Sequence, residues 1–321
     1  MKFVRARLGF VQVLLLTVLL VIGLSVPATA GNWKAMVSMP TPVGSPQVGA
    51  INGILYVAGG QNSNGPQSTL QAFNPTTNTW TTLAPMPGPR AQGEAAVINS
   101  QLYVVGGWTW VPPLPNSTLF VYDPPSNTWT TLASLPHLSA CGIAGAINGQ
   151  LYVYTPCNGY SGWYNYLDVY NPATNAWTSL PGSSTAHGGA AGGVINSKLY
   201  VAGGYNSSAV LGGTLEVYDP LTNAWSTLKS MPTPVTNAAS AVIDGKLYVF
   251  GGNNGTTNVS IVQVYDPIKN KWTITNPVVP VAVSGFTSDV LYGIAFLVGG
   301  WDDNGDALET NELYLQAPTI P

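Results

Sequence analysis

The chain has 321 residues, only 7% of them charged, and its 10 basic and 13 acidic residues give a formal net charge of −3. Beyond the N-terminal segment it holds one arginine, Arg90, so it lacks the basic footprint of a nucleic-acid binder. Its 45% hydrophobic content, rich in β-branched and aromatic residues, excludes a disordered chain despite the low charge.

Lys2, Arg5 and Arg7 open the chain, and an apolar run follows from Leu8 to Val26. Pro27 breaks that run, and Ala28-Thr29-Ala30 has the small-residue pattern of a peptidase site. We read residues 1–30 as a signal peptide and 31–321 as the mature domain, secreted or extracytoplasmic, with no membrane span after cleavage. The run is nearly long enough to cross a bilayer, so an uncleaved tether is the alternative. Removing Lys2, Arg5 and Arg7 leaves 7 basic against 13 acidic residues, a mature net charge of −6.

From Trp33 onward the chain repeats. Tryptophans stand at Trp33, Trp80, Trp129, Trp177, Trp225 and Trp272, a period of about 48 residues. Gly-Gly pairs close short apolar runs at Gly59, Gly106, Gly203, Gly251 and Gly299, and Leu151 to Pro156 is the same run with Thr155-Pro156 in their place. Aromatic-Asx-Pro triplets keep the same phase, from Phe73-Asn74-Pro75 to Tyr265-Asp266-Pro267.

Each period reads as four strands. In the second they are Glu94 to Ile98, Leu102 to Val105, Leu119 to Tyr122 and Trp129 to Leu132. Asn52-Gly53, Asn148-Gly149 and Asp244-Gly245 are two-residue hairpin turns. Four strands and no helical periodicity make each unit a propeller blade. The Gly-Gly pair and stretches such as Tyr218-Asp-Pro-Leu-Thr-Asn-Ala-Trp225 resemble the kelch-repeat family over essentially the whole mature chain. The resemblance implies a six-bladed kelch-type β-propeller and leaves activity open, because kelch propellers serve as enzymes, sugar binders and protein-interaction modules. Trp33 precedes the first hairpin and the last repeat lacks its fourth strand. Asn32 to Val37 is therefore predicted to complete the last blade, pairing near Leu315 and closing the ring.

The connections after each second strand are long and unequal, which places function on that face. They collect Trp108, Trp110, Tyr160, Trp163, Tyr164, Tyr205 and Trp301 among Asn, Ser and Gly. Flat rings beside neutral hydrogen-bonding groups suit a glycan or an extracellular protein partner; loop-on-loop packing is the alternative role. On the inner strands, Glu94 and Asp289 share a face, with Arg90 just upstream. A carboxylate pair with an arginine could serve a carbohydrate-active enzyme; the plainer reading is a solvated channel mouth holding an Arg90–Glu94 ion pair.

No cofactor is expected. A copper-radical site would need two histidine ligands, and His137 and His187 carry no supporting motif and read as polar surface. Asp302, Asn304 and Asp306 alternate like a calcium loop but lack the rest of that spacing. Two cysteines in a secreted chain favour a Cys141–Cys157 disulfide, because the Asn148-Gly149 turn sets them nearly opposite one another.

Overall fold

A computed structural model of the protein describes residues 32–109, 115–157, 163–276 and 278–315. The predicted signal peptide, Trp110, Tyr160 and the side chain of Cys157 lie outside what it describes. Among the described residues there is no helix, and so none long and apolar enough to cross a membrane. Six four-stranded antiparallel sheets form instead, together with a two-residue hairpin at Gln61–Asn62 and Gly65–Pro66. In the second blade the strands are Glu94–Ile98, Gln101–Val105, Leu119–Asp123 and Thr128–Leu132, within a residue of expectation. The inner strands of the other blades are Gln47–Ile51, Ile143–Ile147, Ala191–Ile195, Ala239–Ile243 and Ser284–Leu291.

Ring closure is as the sequence implies. Asn32–Ala35 pairs with Asn311–Leu315 in the register Asn32↔Leu315 to Ala35↔Glu312, supplying the outer strand of the sixth blade. The core lies between blades: Val298 and Leu313 of blade six pack with Val48, Leu55 and Phe73 of blade one. Such burial is the main favourable term, about 1.5–3 kcal/mol for each large aliphatic side chain fully removed from water.

The recurring Tyr-Asx-Pro-x-x-Asn-x-Trp stretch is a latch between neighbours. Tyr170 Oη donates to Asn175 Oδ1 at 2.8 Å, fixing the turn. The same Oδ1 accepts from Ala133 N of the preceding blade at 2.9 Å, and Trp177 Nε1 donates to Ala133 O at 2.8 Å. Asn127 with Trp129 grips Ala84, and Asn270 with Trp272 grips Lys229, in the same way. At Pro181 only the tryptophan half forms, because proline has no N–H to offer Asn223.

The Gly-Gly pair turns the chain after the second strand. Gly59 and Gly60 have φ of 62° and 89°, and a Cβ at Gly59 would lie 2.5 Å from Arg90 O of the next blade. Blade three has Thr155-Pro156 there. There the middle strands reach Gln150–Cys157 and Trp163–Asn171, with a register shift between Thr155 and Cys157. Part of the long connection expected after this second strand is therefore itself strand.

Candidate functional site

The six inner strands line a central channel of about 470 Å³. Its wall is small and mostly uncharged, with Ala50, Val97, Ala146, Val194, Val242 and Val290 at one repeat position. Just before each inner strand, one residue per blade joins a closed circle of backbone hydrogen bonds. Gln92 N donates to Ser45 O at 3.0 Å, Cys141 N to Gln92 O at 2.9 Å and Gly189 N to Cys141 O at 3.1 Å. Asn237 N then donates to Gly189 O at 2.7 Å, Gly285 N to Asn237 O at 2.7 Å and Ser45 N to Gly285 O at 2.5 Å.

All six residues are left-handed, with φ between 52° and 70°. Four of them, Ser45, Gln92, Cys141 and Asn237, are not glycine, and each such position costs on the order of 1 kcal/mol unless its surroundings impose it. The circle sets their side chains at the channel mouth, on the face of the long connections. The sequence hid this circle because none of its links lies within a repeat. The signal was present as one repeat column: Ser45, Gln92, Cys141, Gly189, Asn237 and Gly285.

Trp108, Tyr205 and Trp301 occupy a second column, the residue after each Gly-Gly. Their backbones bridge to the segment leading into the inner strand, as Trp108 does with Ala91 and Tyr205 with Gly188. Trp301 lies flat over the next blade: a Cβ at Gly44 would sit 2.0 Å from its Cε2, and Trp301 Nε1 donates to Ser45 Oγ at 3.4 Å. Trp163 covers Gly188 likewise, where a Cβ would meet its Cζ3 at 1.8 Å, and its ring centroid is 6.1 Å from that of Tyr205. These rings are part-buried and held in place. Packing and display are therefore combined: each glycine admits a ring, and the ring forms a fixed platform beside the mouth.

Tyr164 belongs to another group. It stacks on Tyr166 at 5.1 Å, and Tyr166 stacks on His137 at 3.9 Å. His137 Nδ1 lies 2.9 Å from Asp168, a fully buried carboxylate that also accepts from Ser179 Oγ. His187 is buried too, with Nδ1 2.8 Å from Gly203 O and Nε2 2.8 Å from Glu216. Neither histidine is simple polar surface. Burial pushes the Glu216 carboxyl up, but hydrogen bonds from His187 and Ser184 outweigh it and leave it below the usual range.

The charged trio does not assemble. Arg90 is 1% exposed, with its guanidinium carbon 4.1 Å above the Phe120 ring and donating to Gly106 O, Thr118 O and Thr118 Oγ1. Burial pulls its pKa down to about 10, against the pull of Glu94's charge. Glu94 is 3% exposed and accepts from Ser139 Oγ at 2.9 Å and Gly142 N at 2.8 Å of blade three. Burial raises its carboxyl to about 7 despite those donors. Asp289 accepts from Ala50 N and Val290 N, both at 2.7 Å, and burial raises it as well. Among the described residues no ion pair joins Arg90 to Glu94 and no hydrogen bond joins Glu94 to Asp289. In place of the expected ion pair, Arg90 is held within blade two and Glu94 reaches across to blade three.

The side chain of Cys157 lies outside the described residues, and Cys141, its expected partner, carries a free thiol. Its φ of 61° takes it off the ladder, which ends at Ile143↔Tyr154, and its Sγ donates to Gln92 Oε1 at 3.3 Å. Asp302 spends its carboxylate on its own loop, accepting from Asn304 N and Asp306 N at 2.9 Å. Among the described residues no group of three His, Cys, Asp or Glu side chains could hold a metal.

The chain matches the family model Attractin/LZTR1 beta-propeller over residues 55–309. Among solved structures it is similar to that of YjhT, with 19% identity, coverage of 89% of this chain and 98% of that one, and a TM-score of 0.77. At that identity the likeness speaks for the fold alone. None of the curated proteins compared matches the chain.

Proposed function

Because the chain belongs to the Attractin/LZTR1 β-propeller family, we propose that it is an exported, non-catalytic binding module whose ligand face is the channel mouth with its aromatic rim. One observation carries this reading. The backbone circle places Ser45, Gln92, Cys141 and Asn237 at the mouth of the channel, and the Trp301 and Trp163 platforms stand beside that circle. The hydrogen-bonding side chains at the mouth are neutral and the rim is flat and aromatic, a combination suited to a glycan or an uncharged protein loop. The alternative, a carbohydrate-active enzyme using Glu94 and Asp289, is disfavoured because both carboxyls are engaged by inter-blade hydrogen bonds, Glu94 from Ser139 and Gly142 and Asp289 from Ala50.

The test is a neutral-glycan array together with a pull-down, using the chain from Gly31. A hit should weaken about tenfold or more in Asn237→Ala and Trp301→Ala, in line with the loss of central contacts. Equal affinity in both variants contradicts the assignment. Turnover of a saccharide that disappears in Glu94→Gln or Asp289→Asn would establish the enzyme instead.

A further inference from the structure

One position in the third strand of every blade faces the connection leading into that blade, and each blade treats it differently. In blade one, Gln71 bonds both the N–H and the carbonyl of Thr41, and in blade five Gln263 does the same with Thr233. In blade two, Phe120 lies under Arg90. In blades three and four the residue is a carboxylate and the connection supplies a histidine: Asp168 with His137, and Glu216 with His187.

Blade six carries Glu312 at this position, paired in register with Leu297 and Ala35. Its connection has Val281 where blade three has His137, and Val283 where blade four has His187. Among the described residues nothing donates a hydrogen bond to Glu312 or pairs with its charge. It stands half-buried in a small pocket with Val279, Pro280, Val281, Val283 and Thr310, and burial pushes its carboxyl up. Val281, which lines this pocket, is 51% exposed.

We propose that this junction of blades five and six receives a lysine side chain from a protein partner, the ε-ammonium meeting Glu312 and the methylene stem lying on Val281 and Pro280. Blades three and four show that the fold completes a carboxylate here with a ring nitrogen at hydrogen-bond distance, 2.9 Å in one and 2.8 Å in the other. The pocket volume of about 20 Å³ admits one water-sized group. An ammonium fits that space, whereas a planar guanidinium needs more. The apolar rim matches an aliphatic stem, which lysine buries while keeping its charge at the tip. This site is separate from the channel mouth.

The probe is N-acetyl-lysine methylamide, titrated into the chain from Gly31, whose ring closes on residues 32–315, and followed by the amide NMR shifts of Val281, Val283 and Thr310. Saturable shifts with a Kd of roughly millimolar order are expected. Glu312→Gln should weaken binding about fivefold or more. Val281→His supplies the chain's own partner, as blade three does, and should block the probe below about pH 6. The arginine analogue should bind several-fold more weakly. Absence of a saturable shift at these amides, or equal binding by Glu312→Gln, overturns the proposal; equal or tighter binding of the arginine analogue overturns the choice of lysine.

Discussion

Around the outer strands one device is repeated: an asparagine accepts from the preceding blade's backbone and a tryptophan donates back, at Asn78, Asn127, Asn175 and Asn270. Around the channel mouth the backbone circle is uniform, but its side chains are Ser, Gln, Cys, Gly, Asn and Gly. The connections above it differ in length, from the hairpin at Gln61 to the extended strands of blade three. Where neighbouring blades must hold together, the same chemistry serves each time. Where backbone hydrogen bonds already hold the ring, the side chains differ from blade to blade, and that difference is why the ligand face is proposed there.

The largest expected effect tests whether closure depends on sequence-distant pairing. Deleting residues 32–37 removes the strand paired with Asn311–Leu315 together with the Val37 contacts to Asn78 and Trp80. The melting temperature should fall by about 10 °C or more, through loss of several kcal/mol and an exposed edge. An unchanged melting curve would mean that the ring does not need this strand.

Next comes the buried carboxyl beside the mouth. Glu94 is raised to about 7 from 4.5, so its protonated form is favoured in the folded state. Its stabilising contribution is complete below about pH 4.5 and is lost as pH rises through 7, roughly 3 kcal/mol in all. Glu94→Gln should flatten that dependence and be the more stable protein at pH 8 in denaturant melts. A wild-type stability that rises between pH 5 and 8 relative to the variant contradicts the assignment.

A smaller effect probes the platforms. Gly44→Ala places a methyl where the Trp301 ring lies and should cost about 1–3 kcal/mol by overpacking. In a Trp301→Ala background the same change should cost much less. Equal costs in the two backgrounds would show that the ring does not rest on Gly44. Smallest is one latch bond: Trp177→Phe keeps the ring contact and removes the donor to Ala133 O, with an expected loss of about 1 kcal/mol in a urea melt.

Much of this fold was legible because one repeat contains its own strands, turns and latch residues. Trp33 out of place even disclosed the closing strand. The site was less legible because its contacts join residues far apart in sequence, some within one blade and some between blades. Arg90 and Glu94 are four residues apart, yet Arg90 turns to Phe120 and Thr118 while Glu94 turns to Ser139 and Gly142. His137 became meaningful only with Asp168 and Tyr166 beside it. Trp301 and Trp163 stand at strand ends rather than in loops, and the glycines that seat them, Gly44 and Gly188, lie in the following blade.

The most direct test of the central claim is amide hydrogen exchange on the chain from Gly31 with and without a saturating glycan or protein ligand from the screen. Added protection is predicted at Ser45, Gln92, Cys141 and Asn237 and in the connections after Trp108, Tyr205 and Trp301, with the Asn-x-Trp turns unchanged. Protection confined to those turns, with the channel mouth exchanging as before, would contradict the account.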